Sequence, residues 1–220
     1  MRRIAGILTI RYADFEHYNR RNPLEELLFI ICSVQTQESG YRKTFNALRR
    51  KFPRLEVMAR ATAAEITKPL KPGGLYRNKS RQIKKILRRL ISEFGRPTLS
   101  PLSKMSDPEC EAFLTSLPGV GLKVARCVMM YSFRREVFPV DTHCWRISRR
   151  LGWIRQTRLG ICTKKDMNRL QDKIPPSLRL SLHVNMIALG REICRDDRPR
   201  CEVCPLCSRC RTGQRFRSKA

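Results

Sequence analysis

Leu117-Pro118-Gly119-Val120-Gly121-Leu122-Lys123 joins two clearly marked helices of this 220-residue chain. Upstream, Ser106 is followed three residues later by Glu109, a capping-box pattern that predicts the start of the first helix. Glycine tolerates backbone conformations that other residues avoid, so Gly119 and Gly121 permit a tight turn before the second helix. The stretch therefore predicts a helical hairpin.

The start of the second helix of this hairpin is suited to binding an anion. Its first N–H groups have no partner within the helix and lie at the positive end of the helix dipole. A glycine also lets a ligand approach the backbone closely, which makes Gly119 and Gly121 candidate contacts to a DNA phosphate. A plain connection between two packed helices would use the same residues, so the turn alone leaves both interpretations open.

Helical periodicity dominates the rest of the chain, and no run alternates convincingly as a strand would. We therefore predict an all-α protein, with Pro- and Gly-rich connections at 68–74, 95–101 and 174–177. The predicted helices span residues 22–31, 42–50, 55–60, 63–68, 77–93, 108–116, 122–133, 143–151, 165–174 and 177–189.

The charge of the chain indicates a polyanionic partner. There are 46 Lys and Arg residues against 19 Asp and Glu, a formal net charge of +27, while 41% hydrophobic residues supply a core. Basic residues without acids run through 42–54 and 77–89, whereas an ordinary solvated helix face mixes both signs. The apolar positions of the second run (Ile83, Ile86, Leu87, Leu90 and Ile91) match a core stripe, which disfavours a membrane-surface helix. Nucleic acid is the first candidate.

Five thiols lie within seventeen residues near the C-terminus, too closely spaced to be core positions of one regular element. They are Cys194, Cys201, Cys204, Cys207 and Cys210. The N-terminus lacks the apolar stretch of a signal peptide, and no segment is apolar enough to span a membrane. We therefore expect an intracellular protein, cytoplasmic and nucleoid-associated if the source is prokaryotic, with no membrane partner. In a reducing compartment, clustered thiols bind metal more often than they form disulfides.

The spacing of the thiols leaves the kind of metal site open. A Cys-x2-Cys-x2-Cys run matches ferredoxin spacing and can be read from residue 201 or from residue 204. Zinc is the rival metal, although zinc sites usually place two Cys-x2-Cys pairs on either side of a longer loop. The other cysteines sit singly among apolar residues, as buried thiols do. They are Cys32, Cys110, Cys127, Cys144 and Cys162.

Lys123 and Asp141 are the candidate catalytic pair. An amine in the first turn of a helix lies at the positive end of the dipole, where the charged ammonium is disfavoured and the nucleophilic amine is favoured. Asp141 stands before a predicted helix, where it fits as an N-cap and could also accept a proton or stabilise a cation. Capping alone would account for Asp141.

Three motifs in this order resemble those of the endonuclease III branch of the helix-hairpin-helix DNA glycosylases. They are the 117–123 stretch, Val140-Asp141-Thr142-His143, and the Cys-x6-Cys-x2-Cys-x5-Cys pattern that begins at Cys194. The likeness extends to Asn22-Pro23, Ser33-Val34-Gln35 and Gly74-Leu75-Tyr76, and covers about residues 22–212.

The resemblance implies a two-lobed all-helical fold with DNA across the cleft between the lobes. Residues 17–135 would form a six-helix module with the hairpin, and residues 1–16 and 136–220 a second helical lobe with a cluster loop at 194–210. It also implies a DNA N-glycosylase and AP lyase in base excision repair. Lys123 would attack C1′ of a flipped nucleotide, expel the base and form a Schiff base that undergoes β-elimination, with Asp141 assisting.

Further roles follow only from the resemblance. Gln35 aligns with the residue that fills the gap left by the extruded nucleotide, and Leu75 with an apolar wedge that enters the base stack. Without the family, ordinary core packing would be the choice for Leu75. His143, one of three histidines with His17 and His183, could contact a backbone phosphate or could equally serve as a structural hydrogen-bonding residue.

The cluster ligands are likewise implied by the resemblance. The family pattern assigns Cys194, Cys201, Cys204 and Cys210 to a [4Fe–4S] cluster and leaves Cys207 over. The extra thiol puts in doubt which of the two late cysteines is the fourth ligand, although spacing favours Cys210. The role implied for the cluster is to fix a short arginine-rich loop against the DNA backbone.

Within the family, branches that act only as glycosylases typically carry another residue where Lys123 stands, so the lysine points to a glycosylase with lyase activity. The substrate expected for this branch is an oxidised or ring-fragmented pyrimidine in duplex DNA, and we expect a monomer. Residues 121–123, 138–142 and 150–153 also resemble plant 5-methylcytosine glycosylases, so removal of a mismatched or modified pyrimidine is the alternative. A non-catalytic DNA-binding iron–sulfur protein is the alternative of another class. Such a protein would bind DNA without preference for damage and would not cleave the strand. Its affinity for DNA would fall steeply as the salt concentration rises.

Overall fold

The computed structural model describes residues 1–13, 19–155 and 160–217. Within them the protein is built from twelve α-helices and short 3-10 turns, with no β-strand, so the predicted all-α fold is confirmed. The predicted domain boundary between residues 16 and 17, and His17, lie outside the described residues. No described helix has the length and apolar character needed to cross a membrane.

The helices follow the chain in this order: α1 Arg2–Tyr12, α2 Pro23–Ser33, α3 Glu38–Lys51, α4 Leu55–Arg60, α5 Ala63–Leu70, α6 Tyr76–Phe94, α7 Asp107–Ser116, α8 Leu122–Tyr131, α9 Thr142–Arg150, α10 Lys164–Lys173, α11 Arg179–Glu192 and α12 Arg211–Arg217. The chain divides into two compact units, Asn19–Arg135 and the combination of Met1–Tyr18 with Glu136–Ala220. The first unit contains α2 to α8, and the second contains α1 and α9 to α12.

In the unit of α2 to α8, α2 packs against both α3 and α8, and α5 packs against α6. The start of α2 is capped by the Asn22 side chain, which accepts hydrogen bonds from the Leu24 and Glu25 backbone N–H groups at 3.0 and 3.1 Å. Pro23 at the first helical position reinforces this start, because its fixed φ suits a helix and its missing N–H is not needed there. The prediction that Asn22-Pro23 opens a helix is correct.

The long helix α6 supplies both core and surface to this unit. Its core stripe is fully buried at Ile83, Ile86, Leu87 and Leu90, as predicted, whereas Ile91 is 38% exposed and the prediction for it is wrong. Adjacent positions on a helix are 100° apart, so Ile91 turns away from the stripe that Leu90 completes.

In the other unit, α1 and α9 each pack against α11. The sequence did not predict α1, although its buried positions Ile4, Ala5, Leu8 and Tyr12 follow helical spacing. Gly6 interrupts the pattern and lowers intrinsic helix propensity, so contact with α11 stabilises this helix. α12 was missed too, since it is short and polar.

Candidate functional site

The predicted hairpin is formed by α7 and α8. The Glu109 carboxylate accepts hydrogen bonds from the Ser106 N–H at 2.8 Å and the Ser106 hydroxyl at 2.6 Å, which confirms the capping box. The helices are braced by Arg126, which is 3% exposed and donates from Nε to the Glu111 carboxylate at 2.7 Å. This ion pair joins α7 to α8, since Glu111 belongs to the first helix and Arg126 to the second.

Only one of the two glycines in the turn needs its unusual freedom. Gly119 has a φ of +70°, and a Cβ there would lie 2.7 Å from Nε2 of Gln82, which donates to the Pro118 carbonyl at 3.1 Å. Gly121 has a φ of −88°, which any residue adopts, and no atom lies within 4 Å of the position its Cβ would take. Gly119 therefore shapes the turn, and Gly121 keeps the backbone open to an approaching ligand.

Lys123 is the second residue of α8 and is half-buried. The first turn of α8 contains no acidic residue, and no side chain caps its N-terminus. The partial positive charge of the helix end is therefore not compensated by its own residues. Lys123 therefore lies in the first turn of a helix, as predicted, and its role as a nucleophile stays a prediction.

A buried carboxyl group near Lys123 was not predicted from the sequence. Glu26 of α2 is fully buried, and its Oε2 accepts a hydrogen bond from the Arg20 N–H at 2.6 Å. Burial raises the pKa of Glu26 to about 7, while the Arg20 N–H and the positive charges of Lys123 and Arg20 oppose the rise. The positive charge of Lys123 therefore stabilises the ionised form of Glu26. Sequence periodicity offered no signal for it, because an acid on the apolar face of α2 reads as an exposed residue.

Glu26 gives the unfolding free energy a defined pH dependence. Because the pKa of Glu26 is higher in the folded state than its ordinary value, the folded protein binds the proton more tightly and stability falls as pH rises from about 5 to 8. We expect Glu26→Gln to be more stable than wild type at pH 8.5, by up to about 3 kcal/mol, and similar to it near pH 4. Urea unfolding at the two pH values measures this difference.

Glu25 provides the matched control for that measurement. Its carboxylate lies 2.9 Å from Arg49 on the partly exposed surface of the same helix. Glu25→Gln should lower the unfolding free energy by less than about 1 kcal/mol at either pH. An equal response of the two variants to pH would contradict the assignment to Glu26.

Gln35 and Leu75 share a rare backbone conformation. Their φ angles are +49° and +47°, in the left-handed region that side chains other than glycine seldom adopt. Such a conformation costs about 1–3 kcal/mol and persists where the surroundings enforce it. Gln35 is exposed and Leu75 is 46% exposed, so core packing does not account for Leu75. Both residues lie in short connections, after α2 and before α6 respectively.

Asp141 and His143 lie at the start of α9. Asp141 is the N-cap, as predicted, and its Oδ1 accepts a hydrogen bond from the Cys144 N–H at 2.7 Å. His143 packs on Gly190 of α11, and its Nδ1 lies 3.0 Å from the Arg146 guanidinium. Burial first, then Arg146 and Arg191, lower the pKa of His143 against the opposing charge of Asp141. A neutral His143 whose Nδ1 accepts from Arg146 keeps an N–H donor at Nε2.

The clustered cysteines converge on one pocket. All ten cysteines of the protein are free thiols, and the five late ones line a single cavity together with Arg150, Pro199 and Gly213. Burial and then the neighbouring thiols Cys194, Cys210 and Cys201 raise the pKa of Cys204 to about 11, against a backbone hydrogen bond that lowers it. Thiolates this close repel one another, and a bound cationic centre removes that penalty, so the chemistry of the five thiols suits a metal group. Their arrangement does not match a site for a single metal ion, since no three His, Cys, Asp or Glu side chains in the described part of the chain are grouped to hold one.

Cys207 lies among the same thiols and shares several of their properties. Its Sγ donates to the Gly213 carbonyl at 3.6 Å, and Sγ of Cys210 donates to the Arg150 carbonyl at 3.3 Å. Cys194, Cys204 and Cys210 pack against the apolar core of their unit, whereas neither Cys201 nor Cys207 belongs to that core. After burial, Cys207 raises the pKa of Cys201 more than Cys210 or Cys194 does. The assignment of four ligands that leaves out Cys207 stays a prediction.

Two arginines of α9 brace the cysteine loop, a role that was not predicted. Arg146 donates to the Cys194 carbonyl at 2.7 Å and to the Gly190 carbonyl at 3.1 Å. Arg150 donates to Sγ of Cys194 at 3.2 Å and to the Arg195 carbonyl at 2.6 Å. Among the other cysteines, Cys162 is half-buried, against the prediction, while the remaining four are buried.

The fold and the hairpin define a helix-hairpin-helix protein, and comparison with known proteins gives its family. A model of the HhH-GPD superfamily of base excision DNA repair proteins matches residues 28–176. Endonuclease III of Bacillus subtilis (strain 168) is 32% identical over 199 residues, which cover 88% of this chain and 83% of that protein. The chain belongs to the HhH-GPD superfamily of base excision DNA repair proteins.

Two further similarities concern chemistry. A solved structure of a trapped endonuclease III–DNA covalent intermediate matches with a TM-score of 0.82 at 29% identity and covers 98% of this chain and 96% of that one. DNA glycosylase/AP lyase ROS1 of Arabidopsis thaliana is 28% identical over 165 residues, or 69% of this chain but 12% of that protein. The predicted resemblance to endonuclease III and the predicted class, a base excision DNA glycosylase and AP lyase, are confirmed.

Proposed function

We propose that this protein excises oxidised pyrimidines from duplex DNA and cleaves the resulting abasic site, acting as a monomer with Lys123 as the nucleophile. The observation that carries the proposal is the position of Lys123 in the first turn of α8, which contains no acidic residue. Gly121, two residues earlier, leaves the backbone accessible, because no atom lies within 4 Å of the position its Cβ would take. Its DNA substrate would place the protein inside the cell, with the chromosome.

The first step is displacement of the base. Nζ of Lys123, as the neutral amine, donates its lone pair to C1′ of an extruded nucleotide, and the bond between C1′ and the base nitrogen breaks. The base leaves with the bonding electrons and takes up a proton. The amine loses its own proton, and the sugar ring opens to give the Schiff base. Asp141 would stabilise the positive charge that develops on the sugar in this step.

The second step is strand cleavage. Loss of a proton from C2′ of the Schiff base supplies the electrons that break the C3′–O bond, and the 3′ phosphate leaves. Asp141 is the proposed acceptor of this proton, a role compatible with its hydrogen bond to the Cys144 N–H, because a carboxylate accepts several hydrogen bonds. Hydrolysis of the Schiff base then releases Lys123.

Gln35 and Leu75 are proposed to hold the DNA open while this chemistry proceeds. Apolar wedges unstack base pairs, and extruding a nucleotide costs a few kcal/mol, least at a damaged pair. Leu75 has the exposed apolar side chain that this requires, and Gln35 has a polar end for the orphaned base. Gly119, Gly121 and the Nε2 N–H of His143 are the proposed phosphate contacts.

Cys194, Cys201, Cys204 and Cys210 are the proposed ligands of a [4Fe–4S] cluster, which would hold the 194–210 loop in shape. Support comes from the convergence of these thiols on one pocket and from the packing of Cys194, Cys204 and Cys210 against the apolar core of their unit. The loop contains Arg195, Arg198, Arg200 and Arg209, so a fixed loop would present positive charge to the DNA backbone.

A panel of duplexes tests the substrate. Each duplex carries one altered pair: an oxidised pyrimidine, a ring-fragmented pyrimidine, thymine or uracil opposite guanine, or 5-methylcytosine. We expect single-turnover base release to be at least about tenfold faster from the oxidised pyrimidine than from the mismatches. Both are cheap to extrude, so the difference would come from the fit of the extruded base in its pocket. Faster release of thymine opposite guanine or of 5-methylcytosine would replace the proposed substrate with the alternative that the ROS1 similarity favours. No release from any duplex would favour a non-catalytic DNA-binding protein.

A further inference from the structure

Lys79 is a basic residue of α6 that does not belong to the exposed basic face predicted for this helix. It is 3% exposed, whereas Arg77 and Arg81 beside it are exposed. Burying an ammonium group is costly unless all its N–H donors find partners, so a buried lysine calls for a structural reason. Burial lowers the pKa of Lys79, in keeping with this environment.

The three donors of the Lys79 ammonium have three oxygen partners. Nζ donates to the Cys32 carbonyl at 2.9 Å, to the Thr36 hydroxyl at 2.8 Å and to the Gly73 carbonyl at 2.8 Å. An ammonium group has three donors, and here each one has a partner. The partners are neutral and come from two chain segments that are distant in sequence.

Each of these segments carries one of the residues in left-handed conformation. Cys32 lies in the last turn of α2 and Thr36 directly follows Gln35 in the connection after that helix, while Gly73 lies two residues before Leu75. The Thr36 hydroxyl also donates to the Gly73 carbonyl, so the two segments are joined directly as well. The Leu75 segment is held from a further side, because a Cβ at Gly73 would lie 2.8 Å from Oγ1 of Thr44 in α3.

We propose that Lys79 is a positioning residue that clamps the Gln35 and Leu75 connections into one rigid probe of the DNA stack. The inference rests on the proposed roles of Gln35 and Leu75. A clamp of this kind sets the spacing of the Gln35 and Leu75 side chains before the protein binds DNA. The entropy cost of ordering these side chains is then not added to the cost of opening the base stack.

The test compares Lys79→Met with Lys84→Met. Lys84 lies on the same helix and is half-buried, and its Nζ also donates to backbone carbonyls, those of Ala59 at 2.6 Å and Ala61 at 2.5 Å, away from both connections. Because its ammonium is bound by the protein itself, Lys84 is not one of the exposed residues of the 77–89 run that would contact DNA. Single-turnover base release is measured at a temperature where all protein variants are folded and the DNA is double-stranded. Two substrates are used: an oxidised pyrimidine paired in a duplex, and the same base unpaired in a bulge. Thr36→Val, which removes one partner and the direct link to Gly73, serves as a second, milder variant.

We expect Lys79→Met to slow release from the duplex by about 10- to 100-fold and release from the bulge by only about threefold, since the bulge needs no opening of the stack. Thr36→Val should show the same pattern more weakly, and Lys84→Met should stay within about twofold of wild type on both. If Lys79→Met does not fold, Thr36→Val decides. Equal slowing on both substrates would overturn the clamp.

A combined variant separates the clamp from the roles it rests on. In a Gln35→Ala, Leu75→Ala background, adding Lys79→Met should slow duplex release by no more than about twofold further, because residues that act together are not additive. Full additivity would overturn the clamp while leaving the two probing residues in place. No duplex-specific loss in the background itself would instead reject the proposed roles of Gln35 and Leu75, and the clamp with them.

Discussion

Lys123→Ala eliminates borohydride-dependent trapping of the protein on a duplex with one abasic site, and it lowers strand cleavage by at least about 10³-fold. The reason is that alanine offers no amine to form the Schiff base, and loss of a nucleophile is among the largest single effects in an enzyme. Trapped complexes are counted by denaturing gel after reduction, and cleavage is followed under single-turnover conditions.

The same variant leaves the protein folded and able to bind. Lys123 is half-buried at a helix start, so we expect the unfolding free energy to change by less than about 1 kcal/mol. The variant loses at most one phosphate contact. The slope of log binding constant against log salt concentration should therefore change by about 1 or less. Lys104→Ala, an exposed lysine in the same unit, is the control and should trap normally. Trapping that survives in Lys123→Ala would assign the Schiff base to another amine.

Cys210→Ser and Cys207→Ser should differ sharply in iron content. Cys210 is proposed as a ligand and packs against the apolar core of its unit, whereas Cys207 is not a proposed ligand, does not belong to that core and donates to the Gly213 carbonyl. We expect Cys210→Ser to lose most of its iron and its broad visible absorbance, and to lose about 4 kcal/mol or more of unfolding free energy. Cys207→Ser should keep its iron, because a serine hydroxyl can donate to the same carbonyl. Elemental analysis and absorbance spectra of the two purified variants measure the difference.

Two results would contradict the proposed ligand set. If Cys207→Ser loses its iron and Cys210→Ser keeps it, Cys207 rather than Cys210 is the fourth ligand. A colourless wild-type protein containing zinc would replace the cluster with the rival metal.

Signals that act within a few residues were predicted well. The Ser106–Glu109 capping box, the Asn22-Pro23 start and the Asp141 cap each depend on atoms within a helical turn, and all three are present. The turn at Gly119 follows from the same local reasoning, because its positive φ is a property of glycine itself.

Features that depend on distant partners were not predictable. Lys79 looked like one more surface cation, since its partner Cys32 is 47 residues away in the chain. Glu26 looked like an exposed acid until α8 was packed against α2. The helix α1 depends on its contact with α11, which no pattern in eleven residues can reveal. In each case tertiary packing overrides the local preference.

The central claim is that Nζ of Lys123 forms the covalent bond to DNA, and peptide mapping of the trapped complex tests it most directly. The wild-type protein is reduced with borohydride on an abasic duplex, digested with nuclease and protease, and analysed by tandem mass spectrometry. The account predicts that the sugar-derived mass lies on the peptide containing Lys123, at that residue. The same mass on the N-terminal amine of Met1 or on another lysine, with Lys123 unmodified, would contradict it.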